Sequence, residues 1–319
     1  MTTTVGIDIG GSSTSAVAIG PEGQVLGRHQ IKTTRVEGGR QMVSSAVAAF
    51  SALEVDDCAA IGVGVPGQVD PTTGQVAMAV NLGVGAESYG LANEIEAALG
   101  VPVTVENDVH AAAVGAYESL RLEGQSPESL ALVSIGTGIG AGVVVKGALL
   151  RGARGMAGEI GHVVVDGSGV MCRCGQRGCL EAVAAGPAIS RAWPKGVNGT
   201  AATALFGAAS DGDAAAEKVA GRIAGHLTTA LIWLAATYDT EVIVLAGGVS
   251  GAGDPFLEAV RQQIGRRGVA SELAARRLRP EQVVLARVDD PPGPRGAAVL
   301  AANHLPQTRE SPAESKQKT

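Results

Sequence analysis

At 319 residues the chain exceeds the ~250–300 residues at which single cores stop growing, so about two domains are expected. Its 25 Lys and Arg against 31 Asp and Glu give a formal charge of −6, and the cations form no long run, which argues against a nucleic-acid or anionic-membrane partner. Aromatics make up only 3%, so the core must be built from Ala, Val, Leu and Ile, while 46 glycines, roughly twice the ~7% average, imply many tight turns and close backbone approaches.

The start, MTTTVGIDIGG, lacks the basic and apolar segments of a signal peptide. The longest apolar stretch, LTTALIWLAAT at 227–237, is too short to span a bilayer. A soluble cytoplasmic protein is expected. TVGIDIGG reads as a strand, and SSTSAVAIGPEGQVLGRHQIK as two more joined at PEG. A helix follows in GRQMVSSAVAAFSALEV, then a buried strand, AAIGVGVPG, and a glycine-rich loop. A further helix at about 89–99 leads to the strand VPVTV, which ends at Glu106-Asn107-Asp108, where an Ala-rich helix begins. The pattern then restarts. SLALVSIGTGIGAGVVVKGALL is again strand, glycine turn, strand, turn, strand, and DTEVIVLAGGVSG is a buried strand ending in glycines with a helix after it.

Two halves that open alike predict an α/β protein of two similar domains facing each other across a cleft. The first spans 1–118, completed by a C-terminal helix near 293–304. The second spans 119–292, and the polar residues 306–319 are expected to be disordered.

The hairpins DIGGSS (8–13) and IGTGIGAG (135–142) can each present backbone N–H groups to phosphate, because glycine tolerates φ > 0 and has no Cβ in the way. Either could also be an ordinary turn; the pair, with LAGGVSG at 245–251, favours phosphate. GTGIG fails the dinucleotide spacing and is followed by a strand, not a helix. Asp8 beside a phosphate loop is a natural partner for hydrated Mg²⁺. Asn107 and Asp108 are good helix N-caps, and they also sit where α/β proteins bind ligands. An Asp there can accept a proton from a substrate hydroxyl.

GHVVVDGSGVMCRCGQRGCLE (161–181) holds three of the four cysteines. Cys172, Cys174, Cys179 and His162 form a Cys₃His set suited to tetrahedral Zn²⁺. A disulfide would leave an odd thiol and needs an oxidising compartment; unpaired thiols are the other alternative. Four protein ligands leave no open position, which favours a structural metal over a catalytic one. Cys58, ahead of a buried strand, reads as a small core residue.

GEIGHVVVDGSGVMCRCGQRGCLE (158–181) resembles the signature of the ROK family of sugar kinases and repressors, in which a Glu-x-x-Gly-x-His-like segment leads to Cys-x-Cys-Gly-x-x-Gly-Cys-x-Glu. The other motifs fall in that family's order: DIGGS, GVPGQVD (64–70), END (106–108), GTGIGAG and GGVSG (247–251). The resemblance runs from about residue 5 to 302. It implies the actin-like ATPase fold, with two ribonuclease-H-like domains, and an ATP-dependent kinase acting on the 6-hydroxyl of glucose. Other sugars (N-acetylglucosamine, N-acetylmannosamine, fructose, allose) and a non-catalytic sugar sensor are the alternatives. A repressor would need a helix-turn-helix ahead of the first strand.

The resemblance assigns Asp108 as base, and Gly67, Asn81, Asn107, Asp108, Glu159, His162 and Glu181 to sugar. It assigns Asp8, Gly10, Gly11, Ser12, Ser13, Gly136, Thr137, Gly138, Gly247 and Gly248 to ATP and Mg²⁺, and His162, Cys172, Cys174 and Cys179 to zinc. It also implies a homo-oligomer, a dimer or tetramer. Two departures stand out. Ser13 replaces the common Lys of DIGGTK, and Val84 and Gly85 stand near where a Trp often follows the Asn-Leu pair.

Overall fold

The computed structural model describes residues 2–33, 38–194 and 199–305; the tail from 306 lies outside them. The first sheet contains β1 (Thr4–Ile9), β2 (Ser13–Ile19), β3 (Val25–Lys32) and β4 (Ala60–Val65). Three short strands, β5 (Gln68–Asp70), β6 (Gln75–Ala77) and β7 (Tyr89–Gly90), form a separate small sheet, and β8 (Val103–Asn107) returns to the first. Strand order there is β3-β2-β1-β4-β8, with β1–β4 and β4–β8 parallel and the rest antiparallel.

The second half repeats this plan. Its strands are β9 (Ser129–Ile135), β10 (Ile139–Val145), β11 (Ala148–Leu149), β12 (Val242–Ala246) and β13 (Val283–Leu285), in the order β11-β10-β9-β12-β13. β9 pairs antiparallel with β10 and parallel with β12. The repeat seen in sequence pattern is therefore a repeat of topology. Strands β1, β4, β9 and β12 are almost wholly buried and read as apolar runs, as strands covered on both faces must.

Helices α1 (Arg40–Ser51) and α2 (Leu91–Leu99) cover one face of the first sheet around Ile7, Met42, Leu91 and Ile95. Helix α3 (Asp108–Leu122) packs on both sheets. Helices α4 (Leu180–Ala184), α5 (Gly186–Ala192), α6 (Ala201–Ser210), α7 (Ala214–Tyr238), α8 (Asp254–Ala270) and α9 (Glu272–Arg277) belong to the second half. Their core centres on Phe206 and Phe256, an edge-to-face pair with ring centroids 5.1 Å apart. The last helix, α10 (Pro292–His304), crosses back onto β1, β4 and α3. Its backbone lies so close that a Cβ at Gly62 would overlap the Ala297 carbonyl oxygen, and one at Gly296 the Ala111 carbonyl oxygen. Helix α10 thereby ties the chain's end to its beginning.

The stretch 227–237 proves to be part of α7, whose 25 residues are long and apolar enough by length and composition to cross a membrane. The expectation of too short a segment is corrected on that point, because Ala-rich turns extend the helix in the N-terminal direction. Half of its most apolar window is buried inside the protein, with Ile223, Leu227, Leu231 and Leu234 in the core. Cys58 is only part-buried at the edge of the N-terminal core, its thiol donating to the Ala60 carbonyl at 3.3 Å.

Candidate active site

The carboxyl ends of the parallel strands in both sheets open on one cleft of about 580 Å³, the place where open α/β sheets bind ligands. On the N-terminal side Gly10, Gly11 and Ser12 line it, with Gly67, Asn81, Asn107 and Asp108. On the other side are Gly136, Thr137, Gly138, Glu159 and Glu181. Among the sequence-predicted residues, Asp8, Ser13, His162, Gly247, Gly248 and the three cysteines stand outside this lining.

Both glycine hairpins bend sharply between antiparallel strands. Gly10 N–H donates to the Ser13 carbonyl at 2.9 Å, and Gly136 N–H to the Gly138 carbonyl at 2.9 Å. Thr33, at the end of β3, braces the first: its hydroxyl donates to the Gly10 carbonyl at 2.5 Å and its N–H to the Ser12 carbonyl at 3.1 Å. Gly247 (φ +87°) follows β12, and the Val249 N–H donates to the Ile135 carbonyl at 2.9 Å. Gly247 and Gly248 therefore adjoin the foot of the second hairpin, although they do not line the cleft.

Asp108 opens α3, with its Oδ1 accepting from the Val109 N–H at 2.9 Å. Burial pushes its pKa above the ordinary carboxylate value, against the bond from Val109 and the charge of His110. Asp8 stands just behind the cleft wall, its carboxylate between Gly64 and Gly293. Burial, reinforced by Asp108, raises its pKa to about 7. Two carboxylates that resist ionising together mark a place where a cation would be welcome.

Asn107 is the N-cap of α3: its Oδ1 accepts from Val109 N–H at 3.0 Å and His110 N–H at 3.1 Å. Its Nδ2 donates to the Gly67 carbonyl at 3.2 Å. Capping thus accounts for the amide oxygen, and one amide hydrogen is left for a ligand. Gly67 holds φ +107°, where a Cβ would meet the Ala77 carbonyl oxygen at 2.6 Å. Asn81 lies in the single helical turn Val80–Leu82 against Gly11. Val84 is buried in the core and Gly85 is exposed, and neither lines the cleft.

The cysteine loop is a short hairpin, bridged at Val164–Cys179 and Met171–Arg177. Gly178 (φ +76°) crosses so near Asp166 that a Cβ would overlap its carbonyl oxygen. The turn gathers His162, Cys172, Cys174 and Cys179, whose ligand atoms all lie within 4.8 Å of one another. Sγ of Cys174 and Cys179 are 3.6 Å apart, and His162 Nδ1 is 3.7 Å from Cys172 Sγ. A tetrahedron with metal–sulfur bonds of about 2.3 Å has edges of about 3.8 Å, so this set fits a zinc ion. Burial and the neighbouring thiols push the Cys179 thiol up to about 12, which a bound cation would reverse. His162 turns its other nitrogen, Nε2, toward Glu159 Oε2 at 3.9 Å. Glu181 Oε2 accepts from the Ile139 N–H at 3.3 Å, which joins this loop to the second hairpin.

Two features escape sequence reasoning. Arg173, between the first two cysteines, is the one Lys or Arg among the described residues that lines the cleft; its Nη2 is 3.8 Å from Glu181 Oε1. The other is a buried network behind Asp108. Glu106 Oε2 accepts from Arg151 Nε at 2.6 Å, Glu106 Oε1 lies 3.4 Å from His110 Nδ1, and His110 Nε2 is 2.8 Å from the Ala157 carbonyl. Only a position inside Cys-x-Cys could have flagged Arg173. Nothing local links residues 106, 110 and 151.

The ROK family model matches residues 4–304. The chain belongs to the ROK family. It is 34% identical over 280 residues to a glucokinase of Halalkalibacterium halodurans, covering 81% of this chain and 84% of that one. It is also 34% identical over 257 residues to an N-acetylmannosamine kinase of Yersinia pseudotuberculosis, covering 80% and 85%. A crystal structure of a ROK family glucokinase from Streptomyces griseus, in complex with glucose and AMPPNP, superposes with a TM-score of 0.79 at 31% identity. That likeness covers 94% of this chain and 99% of that one. The ROK family match and these neighbours bear out the actin-like, two-sheet α/β architecture expected from the motifs.

Proposed function

We propose that this chain is an ATP-dependent hexose kinase that transfers the γ-phosphate of ATP to the 6-hydroxyl of glucose. The carrying observation is Asp108, a carboxylate of raised pKa at the start of α3, in one cleft with two glycine hairpins. A base whose pKa is lifted toward neutrality accepts a proton more readily in the transition state. The likeness to two glucokinases supports the substrate.

In this reading the sugar lies between Asn81 and Asn107 on one side and Glu159, His162 and Glu181 on the other. The 6-hydroxyl points at Asp108. As O6 attacks the γ-phosphorus its proton passes to Asp108, the bond from phosphorus to the bridging oxygen breaks, and ADP leaves. Backbone N–H groups of Gly11 and Ser12 and of Thr137 and Gly138 hold the phosphates, those of Gly10 and Gly136 being engaged within their own turns, and Gly247–Gly248 lie on the nucleoside side. Asp8 would hold Mg²⁺, which supplies charge neutralisation. Zinc on His162, Cys172, Cys174 and Cys179 would fix the loop that carries Glu159 and Glu181. Water must be kept from the cleft, since it would compete with the sugar as nucleophile.

The test is a panel of glucose, N-acetylglucosamine, N-acetylmannosamine, fructose and allose with ATP, read as ADP release. Glucose is expected to give the highest kcat/KM, by about tenfold or more, as differential contacts to ring hydroxyls allow. A preference for an N-acetylated sugar would move the assignment to the activity of the Yersinia relative.

A second expectation concerns Asp8, the only carboxylate in the first hairpin. With Ser13 in place of Lys, metal must neutralise the triphosphate, so turnover should vanish without a divalent ion. Asp8→Ala should lower kcat/KM for Mg·ATP by about 10²-fold, roughly 2.7 kcal/mol of charge stabilisation. At sub-saturating Mg²⁺ the KM for ATP should rise as pH falls below about 7, where Asp8 takes up its proton. Full activity of Asp8→Ala at saturating Mg·ATP would remove Asp8 from the nucleotide site.

A further inference from the structure

We infer that His110 is held as the doubly protonated imidazolium and is the positioning residue that fastens the 151–158 loop to the base of α3. The argument is one of donors and acceptors. His110 Nε2 is 2.8 Å from a backbone carbonyl, that of Ala157, which can only accept. Its Nδ1 faces a carboxylate oxygen of Glu106 at 3.4 Å. That carboxylate is ionised, because its other oxygen takes the Arg151 N–H at 2.6 Å and its first takes the Asn107 N–H at 3.0 Å. Two acceptors on one ring require two N–H groups, and only the cation has both. A neutral ring would leave one nitrogen lone pair against an oxygen in a site where His110 and Glu106 are both buried.

The charges around the ring are consistent with this. Glu106 comes from β8, Arg151 from the loop, and Asp108 from the ring's own helix. β4, β9, β10 and β11, which pack on the same helix, carry no ionisable side chain, and α10, which also packs on it, carries His304 near its end and Arg295, whose guanidinium is paired with Asp290. Burial opposes a charge on His110, but the bonds to Glu106 and Ala157 outweigh it and hold its pKa above the ordinary histidine value. Burial likewise pushes Glu106 up, and His110 and Arg151 bring it below the ordinary glutamate value.

The placement gives the network its task. Glu106 and His110 flank Asn107 and Asp108 in sequence. The loop that is held through Arg151 to Glu106 and through Ala157 to His110 contributes Gly155, Ala157 and Gly158 to the cleft wall and runs directly into Glu159. One imidazolium therefore sets the distance between the proposed base and the proposed sugar-binding carboxylate on the opposite half. This second step rests on the kinase reading; the protonation state does not.

Two measurements test it. In ¹⁵N-labelled wild-type protein, the His110 ring, assigned by its loss in His110→Gln, should show two protonated nitrogens at pH 7. A neutral tautomer at that pH overturns the inference whatever the enzyme's substrate. For the positioning role, His110→Ala should raise the sugar KM by about tenfold, the worth of one buried hydrogen bond, and leave the ATP KM within about twofold. His110→Gln, which keeps a donor toward Ala157, should recover part of the loss. Because the folded pKa is raised, the latch is complete below the ordinary histidine range and is lost as pH rises through the higher value. The wild-type sugar KM should climb there, and the His110→Gln profile should stay flat. Equal effects on both KM values, or identical pH profiles, would reduce His110 to a packing residue.

Discussion

Asp108→Asn is expected to lower kcat by about 10²–10⁴-fold, the usual worth of a general base, while glucose still binds. The substitution keeps the shape and the N-terminal position on α3. It removes a carboxylate whose environment has already been tuned: burial raises its pKa, and Asp8 nearby resists ionising beside it. Because the Asn107 cap and the Gly67 contact do not involve the Asp108 side chain, the surrounding backbone should hold. The measurements are steady-state ADP release and calorimetric sugar binding. Retention of more than about a tenth of wild-type turnover would show that the proton leaves by another route, and a matching loss of sugar affinity would make Asp108 a binding residue only.

Features whose partners lie within a few residues were legible before the fold. DIGGSS, GTGIG and Glu106-Asn107-Asp108 announce strand ends because glycine and cap residues interrupt apolar runs. The cysteine loop announces a metal set because three thiols fall within eight residues beside a histidine. The repeated sheet was visible only as a pattern, since the two halves share spacing and not residues. Other features depend on long-range approach. Arg151 is 45 residues from Glu106, and Ala157 is 47 from His110; only the facing of the two halves joins them. The small sheet escaped because its strands are two or three residues long, too short for a period-2 signal. The N-terminal extension of α7 escaped because alanine and glycine dilute its apolar face.

Each half also supplies what the other lacks. The first hairpin carries Asp8 but no cation, since Ser13 stands where a Lys is common. The second half brings a lining guanidinium, Arg173, on the cysteine loop. In the proposed reading that loop acts on both substrates: Glu181 reaches the second hairpin through Ile139, and Glu159 approaches His162 on what would be the sugar side. Anything that loosens it should be felt at the sugar first, because the hairpins have their own braces at Thr33 and in the Gly136–Gly138 turn.

Replacing Cys172 or Cys179 by Ala tests that dependence. Protein purified without added metal is expected to hold one Zn²⁺ per chain by elemental analysis, and either variant should lose it, since three ligands bind far more weakly than four. The sugar KM should rise by about tenfold or more, the equivalent of one or two lost hydrogen bonds, with the ATP KM much less affected. Thermal stability should fall as well, because a metal bound only by the folded protein stabilises it directly. Cys172 and Cys179 are buried and Cys174 is exposed, so Cys174→Ala should disturb packing least and separate loss of metal from loss of core. A catalytic zinc predicts the opposite split: metal-free protein would bind sugar normally and fail in turnover. A protein with no zinc and a disulfide among these cysteines would overturn both readings. Loss of zinc with the sugar KM unchanged would leave a metal that serves the fold alone and would detach Glu159 and Glu181 from its control.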